Sequence, residues 1–173
     1  TAIYRIGLFA KIIKATNYIV VNGDEPLANI KDLKKLVNYG KKYPNRVAIG
    51  EGPCSKYKYI DKTKAKVIVS KSGNVLYTSR LSLPYSEKNY TNYAKSAIWY
   101  YSFNKKELDH YIKNYNYVKT DKLEGLEING MIECDIKVYA IKMIGDSWAV
   151  DTKKDLKIVE KILKAKKHSW EKE

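Results

Sequence analysis

The chain has little cysteine, little histidine, a shortage of acid and no long apolar run, and each shortage removes a class of explanation. Its two cysteines, Cys54 and Cys134, lie far apart and outside any Cys-x-x-Cys spacing, which argues against a zinc site or a disulfide scaffold and favours a reducing compartment. Two histidines offer little for a metal cluster. No stretch approaches the roughly 18 apolar residues of a membrane-crossing helix, and no signal-peptide pattern opens the chain. A soluble, cytoplasmic protein is expected. Acid is outnumbered, 19 Asp and Glu against 33 Lys and Arg, for a formal charge of +14. The lysines are spread throughout rather than gathered into a basic stripe with aromatics between them, so neither a nucleic acid nor a membrane is the expected partner. A positive field would still speed the arrival of a polyanionic substrate.

At 173 residues and 45% hydrophobic composition the chain can bury one substantial core, and a single domain over 1–173 is expected. Apolar residues at helical spacing (Ile6, Leu8, Phe9, Ile12, Ile13) begin almost at once, which carries the expectation of a segment ahead of Thr1. "YIVV" reads as a fully apolar strand. Asn29 caps a helix with the stripe Ile30, Leu33, Leu36 and Val37, and "RVAIG" is the next strand. Ser55 to Lys62 reads as a loop, and "AKVIVSKSGNVLYTSR" as a hairpin turning at Ser72, Gly73 and Asn74. "SAIWYYSF" is a strand, Asn104 opens a helix, and Asp121 with Glu124 caps another that runs to about Glu133. "DIKVYAIK" alternates as a half-buried strand, and Thr152 with Asp155 caps a final helix striped by Leu156, Val159, Ile162 and Leu163. Strands alternating with helices around one hairpin predict an α/β fold, a three-layer sandwich with a mostly parallel, mixed sheet.

In such sheets ligands lie beyond the carboxyl ends of the strands. In "VVNGDEPL" an apolar strand ends there in Gly23, Asp24, Glu25 and Pro26. Asp151, after the short apolar "WAV" and before a helix, has the same strand-end setting. Two carboxylates meeting there suit Mg²⁺, which takes one or two protein carboxylates together with substrate phosphates. The plainer reading makes Asp24 a turn residue and Asp151 the cap of the last helix. Asp109 and His110, adjacent on a helix, read as solvent-facing polar residues rather than a catalytic pair.

The ordered set "VVNGDEPL", "AKVIVSKSGNVLYTSRLSLP" and "AVDTKKDL", spread between about Arg5 and Leu163, resembles the 3-deoxy-manno-octulosonate cytidylyltransferase (CMP-Kdo synthetase) family of bacterial envelope synthesis. The resemblance implies a nucleotide-diphospho-sugar transferase-like fold and a homodimer. It implies that Asp24 and Asp151 ligate Mg²⁺, that Lys66 and Arg80 are cations of the catalytic site, and that Asn22 stands beside the nucleotide. It places Glu127 in the sugar-acid pocket, with Lys95, Trp99 and Tyr101 on the segment that binds the sugar. The chain departs from the pattern at Lys95 and Trp99, where histidine and tyrosine are usual, and at Ile128, where glutamine is usual. The family's opening basic, glycine-containing loop has no counterpart between Thr1 and Glu173.

The implied reaction joins CTP to a Kdo-like acidic sugar, with CMP transferred and pyrophosphate released, and needs no covalent enzyme intermediate. Two other readings stay open: a nucleotidyltransferase-like binding or scaffold protein without catalysis, and a nucleotidyltransferase with another acceptor.

Overall fold

The structure is a computed structural model and describes residues 1–144 and 148–170. The chain opens with α1 (Ala2–Ile12), β1 (Tyr18–Val21), α2 (Ile30–Lys42), β2 (Val47–Pro53) and the short α3 (Lys56–Ile60). The hairpin β3 (Lys66–Val69) and β4 (Val75–Ser79) follows, then β5 (Lys95–Phe103), α4 (Lys105–Asn114) and a single 3-10 turn. The remainder is α5 (Thr120–Glu124), α6 (Glu127–Glu133), β6 (Val138–Lys142) and α7 (Lys153–Trp170).

Local chemistry explains most boundaries. Asn29 and Asn104 cap α2 and α4 through their side chains, accepting from the Lys31 and Glu107 amides. Thr152 and Asp155 bond reciprocally at the start of α7, with the Asp155 carboxylate accepting from the Thr152 amide and the Thr152 hydroxyl accepting from the Asp155 amide. Gly73, at φ +84°, supplies the left-handed residue of the hairpin turn. Two expectations fail locally. The expected loop at Ser55–Lys62 contains α3, because the Ser55 hydroxyl accepts from the Lys58 amide and starts a turn. The single helix expected from Asp121 to Glu133 is divided into α5 and α6 by Gly125, at φ +65°. Asp121 does not cap it; its carboxylate is buried and accepts from the Tyr111 hydroxyl.

The six strands of the described residues form one mixed sheet in the order β4-β3-β5-β2-β6, with β1 also paired to β5. The expectation of mostly parallel pairing needs correcting at the level of the ladders. Among the described residues β1, β2, β3 and β6 run in one direction and β4 and β5 in the other, so the β2–β6 ladder alone is parallel and the other four are antiparallel. The hairpin reverses the chain into β4, and the long connection after β4 carries it back across β3, so that β5 enters between β3 and β2 in the direction of β4.

Pleat alternation divides the core into two layers. Val47 and Ile49 of β2, with Tyr101 and Phe103 of β5, face α1, α4 and α6 and pack with Ile3, Ala10, Leu108, Ile128 and Met131. Ala48, Ile98 and Tyr100 face the other way and pack on Leu36 of α2 and Met143. Helices therefore cover both faces, as a three-layer sandwich requires. α7 departs from its expected stripe: Val159 is buried, while Leu156 and Leu163 are exposed.

Asn129 joins α6 to the hairpin. Its carbonyl accepts from both the amide and the hydroxyl of Thr78, and its amide donates to the Thr78 carbonyl, all in buried surroundings. Removing it strands two buried donors and a buried acceptor together. Asn129→Ala is expected to lower unfolding stability by about 3 kcal/mol in urea titrations; a change below about 0.5 kcal/mol, the usual range for a surface substitution, would show that the bonds are not retained in solution.

Candidate active site

β1 and β3 share one edge of β5 without meeting. β1 pairs with Tyr100–Phe103, and β3 joins at Ser96. Ala97 and Trp99 lie in the interval, and a cleft of about 230 Å³ opens there, at the carboxyl end of β1. Asn22, Asp24 and Glu25 line it from the turn after β1, Thr63 and Lys64 from the approach to β3, and Arg80 from the end of β4. Lys58, Ser96, Glu127 and Asp151 add to the polar wall, with Trp99 and Tyr101 along the floor.

Asp24 and Asp151, distant in sequence, therefore border one cavity. The turn after β1 closes on itself through the Glu25 amide and the Asn22 carbonyl, 3.2 Å apart, and the Val150 amide donates to the Asp24 carbonyl at 2.9 Å. That last bond ties the residue before Asp151 directly to Asp24. The Asp32 carboxylate, buried on α2, accepts from the Ile144 amide and anchors the chain just after β6.

Arg80 is held from two sides. Its Nε donates to the Glu124 carbonyl at 3.3 Å and its Nη1 to the Thr63 carbonyl at 3.1 Å. The Glu124 carboxylate accepts from the Ser79 and Tyr77 hydroxyls. The guanidinium is thereby fixed at the rim of the cleft, where its planar group suits a phosphate or carboxylate.

The Tyr101 hydroxyl has its pKa raised far above the usual phenol range by burial first, then by the charges of Glu127, Glu25 and Asp24, against an opposing hydrogen bond with Asn22. It stays a neutral hydroxyl on the cleft floor. Glu127 accepts from the Ala2 and Ile3 amides at the start of α1, so its carboxylate also serves that helix terminus.

Two expected site residues are placed elsewhere. Lys66 does not line the cleft: it is fully buried, and its ammonium donates to the carbonyls of Asp61, Lys64 and Arg80. It acts on the site through backbone, tying the approach to β3 to the segment carrying Arg80. Burial lowers its pKa against the opposing fields of Cys54 and Asp61. Lys95 also lies outside the cleft, at the far end of β5, paired with Glu51 at 2.8 Å. Asp109 pairs with Lys105 and His110 contacts the Cys134 carbonyl, apart from the cleft.

Sequence reading missed Lys64. Its ammonium lies 3.1 Å from Asp151 Oδ2 and 3.4 Å from Asp155 Oδ1, and donates to the Ala149 carbonyl. Burial alone would lower its pKa, but the two aspartates outweigh that and raise it. Trp148 lies beside them, donating through Nε1 to Asp155 at 2.7 Å and stacking on Tyr57. The available signal was the crowding of Lys62, Lys64 and Lys66, but nothing in that spacing says which lysine faces which partner.

The fold is that of an α/β nucleotidyltransferase. The chain superposes on a CMP:2-keto-3-deoxy-manno-octonic acid synthetase in complex with CTP, with a TM-score of 0.81 over 96% of this chain and 69% of that one, at 21% identity. A cytidylyltransferase family model matches residues 6–139, and the chain belongs to that family. It is 30% identical to the 3-deoxy-manno-octulosonate cytidylyltransferase of Koribacter versatilis (strain Ellin345), covering 94% of this chain and 62% of the relative. The enzyme of the same name from Acidobacterium capsulatum is 26% identical, over 94% of this chain and 66% of the relative. The chain thus spans less than two thirds of the length of both relatives. Among the described residues no helix is long and apolar enough to cross a membrane.

Asp155 gives the site a pH signature. Burial pushes its carboxyl up, but bonds from Thr152 and Trp148 and the charge of Lys64 outweigh this and hold it at about 2, below an ordinary 3.8. The folded state then binds fewer protons than the unfolded state across that interval. The stability this group contributes, roughly 2 kcal/mol, is whole above its unfolded pKa and is lost as pH falls towards its folded one. Urea unfolding from about pH 5 to about pH 2 is expected to show this loss and Asp155→Asn to flatten it; matching curves for the two proteins would refute the assignment.

Proposed function

We propose that the cleft is the active site of a cytidylyltransferase that transfers CMP from CTP to a Kdo-like acidic sugar in the cytoplasm and releases pyrophosphate. The observation that carries the reading is the meeting of Asp24 and Asp151 at one strand-end cavity, joined through the Val150 amide and the Asp24 carbonyl. Family membership and the activity named for the relatives supply the reaction class.

Magnesium belongs to this proposal. Among the described residues no group of three or more His, Cys, Asp or Glu forms a closed metal cage. A nucleotide-associated Mg²⁺ does not need one, since it is usually held by one or two carboxylates while phosphates and water fill its other positions. Asp24 and Asp151, both hard oxygen donors at the cleft wall, fit that requirement, and the ion would neutralise charge on the phosphates.

The anomeric hydroxyl oxygen of the sugar forms a bond to the α-phosphorus of CTP, the bond from that phosphorus to the bridging oxygen breaks, pyrophosphate leaves, and the hydroxyl proton passes to solvent. Catalysis is then positioning and charge neutralisation. Arg80, fixed by Glu124 and Thr63, meets phosphate or carboxylate oxygens. Asn22 and Tyr101 offer neutral polar groups, and Trp99 offers a flat apolar surface on the floor. Lys66 supports the reaction as a positioning residue, through the three carbonyls it gathers. A homodimer is part of the same proposal.

CTP-dependent pyrophosphate release in the presence of 3-deoxy-manno-octulosonate tests the reading. Asp24→Asn and Asp151→Asn are each expected to lower kcat/KM by about 100-fold or more, a loss of roughly 3 kcal/mol in transition-state stabilisation. Full rates in both variants, or release that ignores the nucleotide offered, would reject it.

A further inference from the structure

Lys64 lines the cleft, yet its side chain is only 10% exposed, whereas that of Asp151 is 41% exposed. The ammonium lies among three oxygens, Asp151 Oδ2, Asp155 Oδ1 and the Ala149 carbonyl. The two carboxylates depend on it unequally. Asp155 has neutral donors for both oxygens, Trp148 Nε1 on Oδ1 and the Thr152 amide and hydroxyl on Oδ2. Asp151 has Lys64 as its hydrogen-bonding partner among the described residues. Asp155 therefore keeps donors on both oxygens when the ammonium moves away, whereas for Asp151 the ammonium is the hydrogen-bonded counter-charge.

A divalent ion taken up by Asp151 would lie within a few ångströms of that ammonium, and two positive charges so close in a partly desolvated cleft repel strongly. Lysine is suited to yield, being a point charge on a flexible four-carbon stem, and it sits on the cleft wall next to Thr63, with Arg80 close by. We propose that Lys64 and a divalent cation are alternative partners of the Asp151 carboxylate, and that metal entering with a nucleotide transfers the ammonium from Asp151 to a phosphate oxygen. Lys64 thus acts as a gate on metal loading: it keeps the bare ion out and admits the metal with a polyphosphate that gives the ammonium a new partner. This inference rests on the metal and nucleotide reading above and adds a residue that reading does not require.

The test is Mn²⁺ binding, measured by calorimetry or by the paramagnetic signal of the free ion, first without nucleotide. Lys64→Met is expected to bind Mn²⁺ at least about tenfold tighter than the unaltered protein, because the competing charge is gone. Lys64→Gln, which keeps a donor for Asp155 and so guards against a folding defect in the first variant, is expected to change in the same direction. With CTP present the order reverses, and both variants bind the metal–nucleotide pair about tenfold more weakly. Unchanged or weaker binding of Mn²⁺ alone in both variants would overturn the proposal and leave Lys64 as a structural tether. If Mn²⁺ binds and Asp24→Asn abolishes it while the Lys64 variants match the unaltered protein, only the gate is refuted. If no variant binds Mn²⁺, the metal reading fails and the gate with it, and pyrophosphate release remains the separate measure of the reaction.

Discussion

β5 pairs with β2 from Lys95 to Ser102 along one edge, with a bulge at Trp99 and Tyr100, but on the other edge β1 reaches only to Tyr100 and β3 begins only at Ser96. A cleft at a sheet edge needs such a gap, because continuous pairing would fill it with backbone. Here the gap is set by how far each strand can run. β1 ends at the Asn22–Glu25 turn, where the Glu25 amide bonds back to the Asn22 carbonyl, and β3 begins after a turn held by the Lys66 ammonium. The floor residues Trp99 and Tyr101 point to the same face by pleat alternation and stack at 6.1 Å, in line with the stack of Tyr101 on Phe103. The floor of the site is thus the outer end of the core's own aromatic ladder, which makes its shape as rigid as the packing beneath it.

The cations of this chain serve three separate purposes. Lys66 is withdrawn from water and gathers carbonyls, doing for the backbone what a turn hydrogen bond would do, and it persists because all three donors find oxygens. Lys95 neutralises the buried Glu51 away from the cleft. Lys64 and Arg80 face the cavity, one opposite carboxylates and one held by carbonyls. The acidic turn in an otherwise basic chain belongs to the same balance, since Asp24, Glu25, Glu127 and Asp151 collect where Lys58, Lys64 and Arg80 also converge.

Elements with local causes were legible in the residue order. β1, the Asn29 and Asn104 caps, the hairpin about Gly73 and the Thr152–Asp155 cap are decided by side chains within a few positions of one another, and they lie where periodicity and capping place them. α3 and the division at Gly125 were missed because a five-residue helix carries too little periodicity to declare itself, and one glycine can end a helix or sit within it. The antiparallel course of β5 was hidden for another reason: an apolar strand buried on both faces reads alike whichever way its neighbours run.

For the site, the chain order determined the chemistry available: carboxylates following short apolar strands, an arginine closing a hairpin, aromatics alternating along a strand. Those identities follow from local backbone geometry, and the belonging of Asp24 and Asp151 to strand ends was readable one at a time. Which lysine would stand beside Asp151 was decided by folding alone. Lys64 and Lys66 differ by two positions, and in an extended approach to a strand both can point to one side; the pairing of β3 with β4 and β5 buries one beneath the chain and turns the other towards the carboxylates. Charge placement of that kind depends on contacts between segments far apart in the chain, which no local pattern encodes.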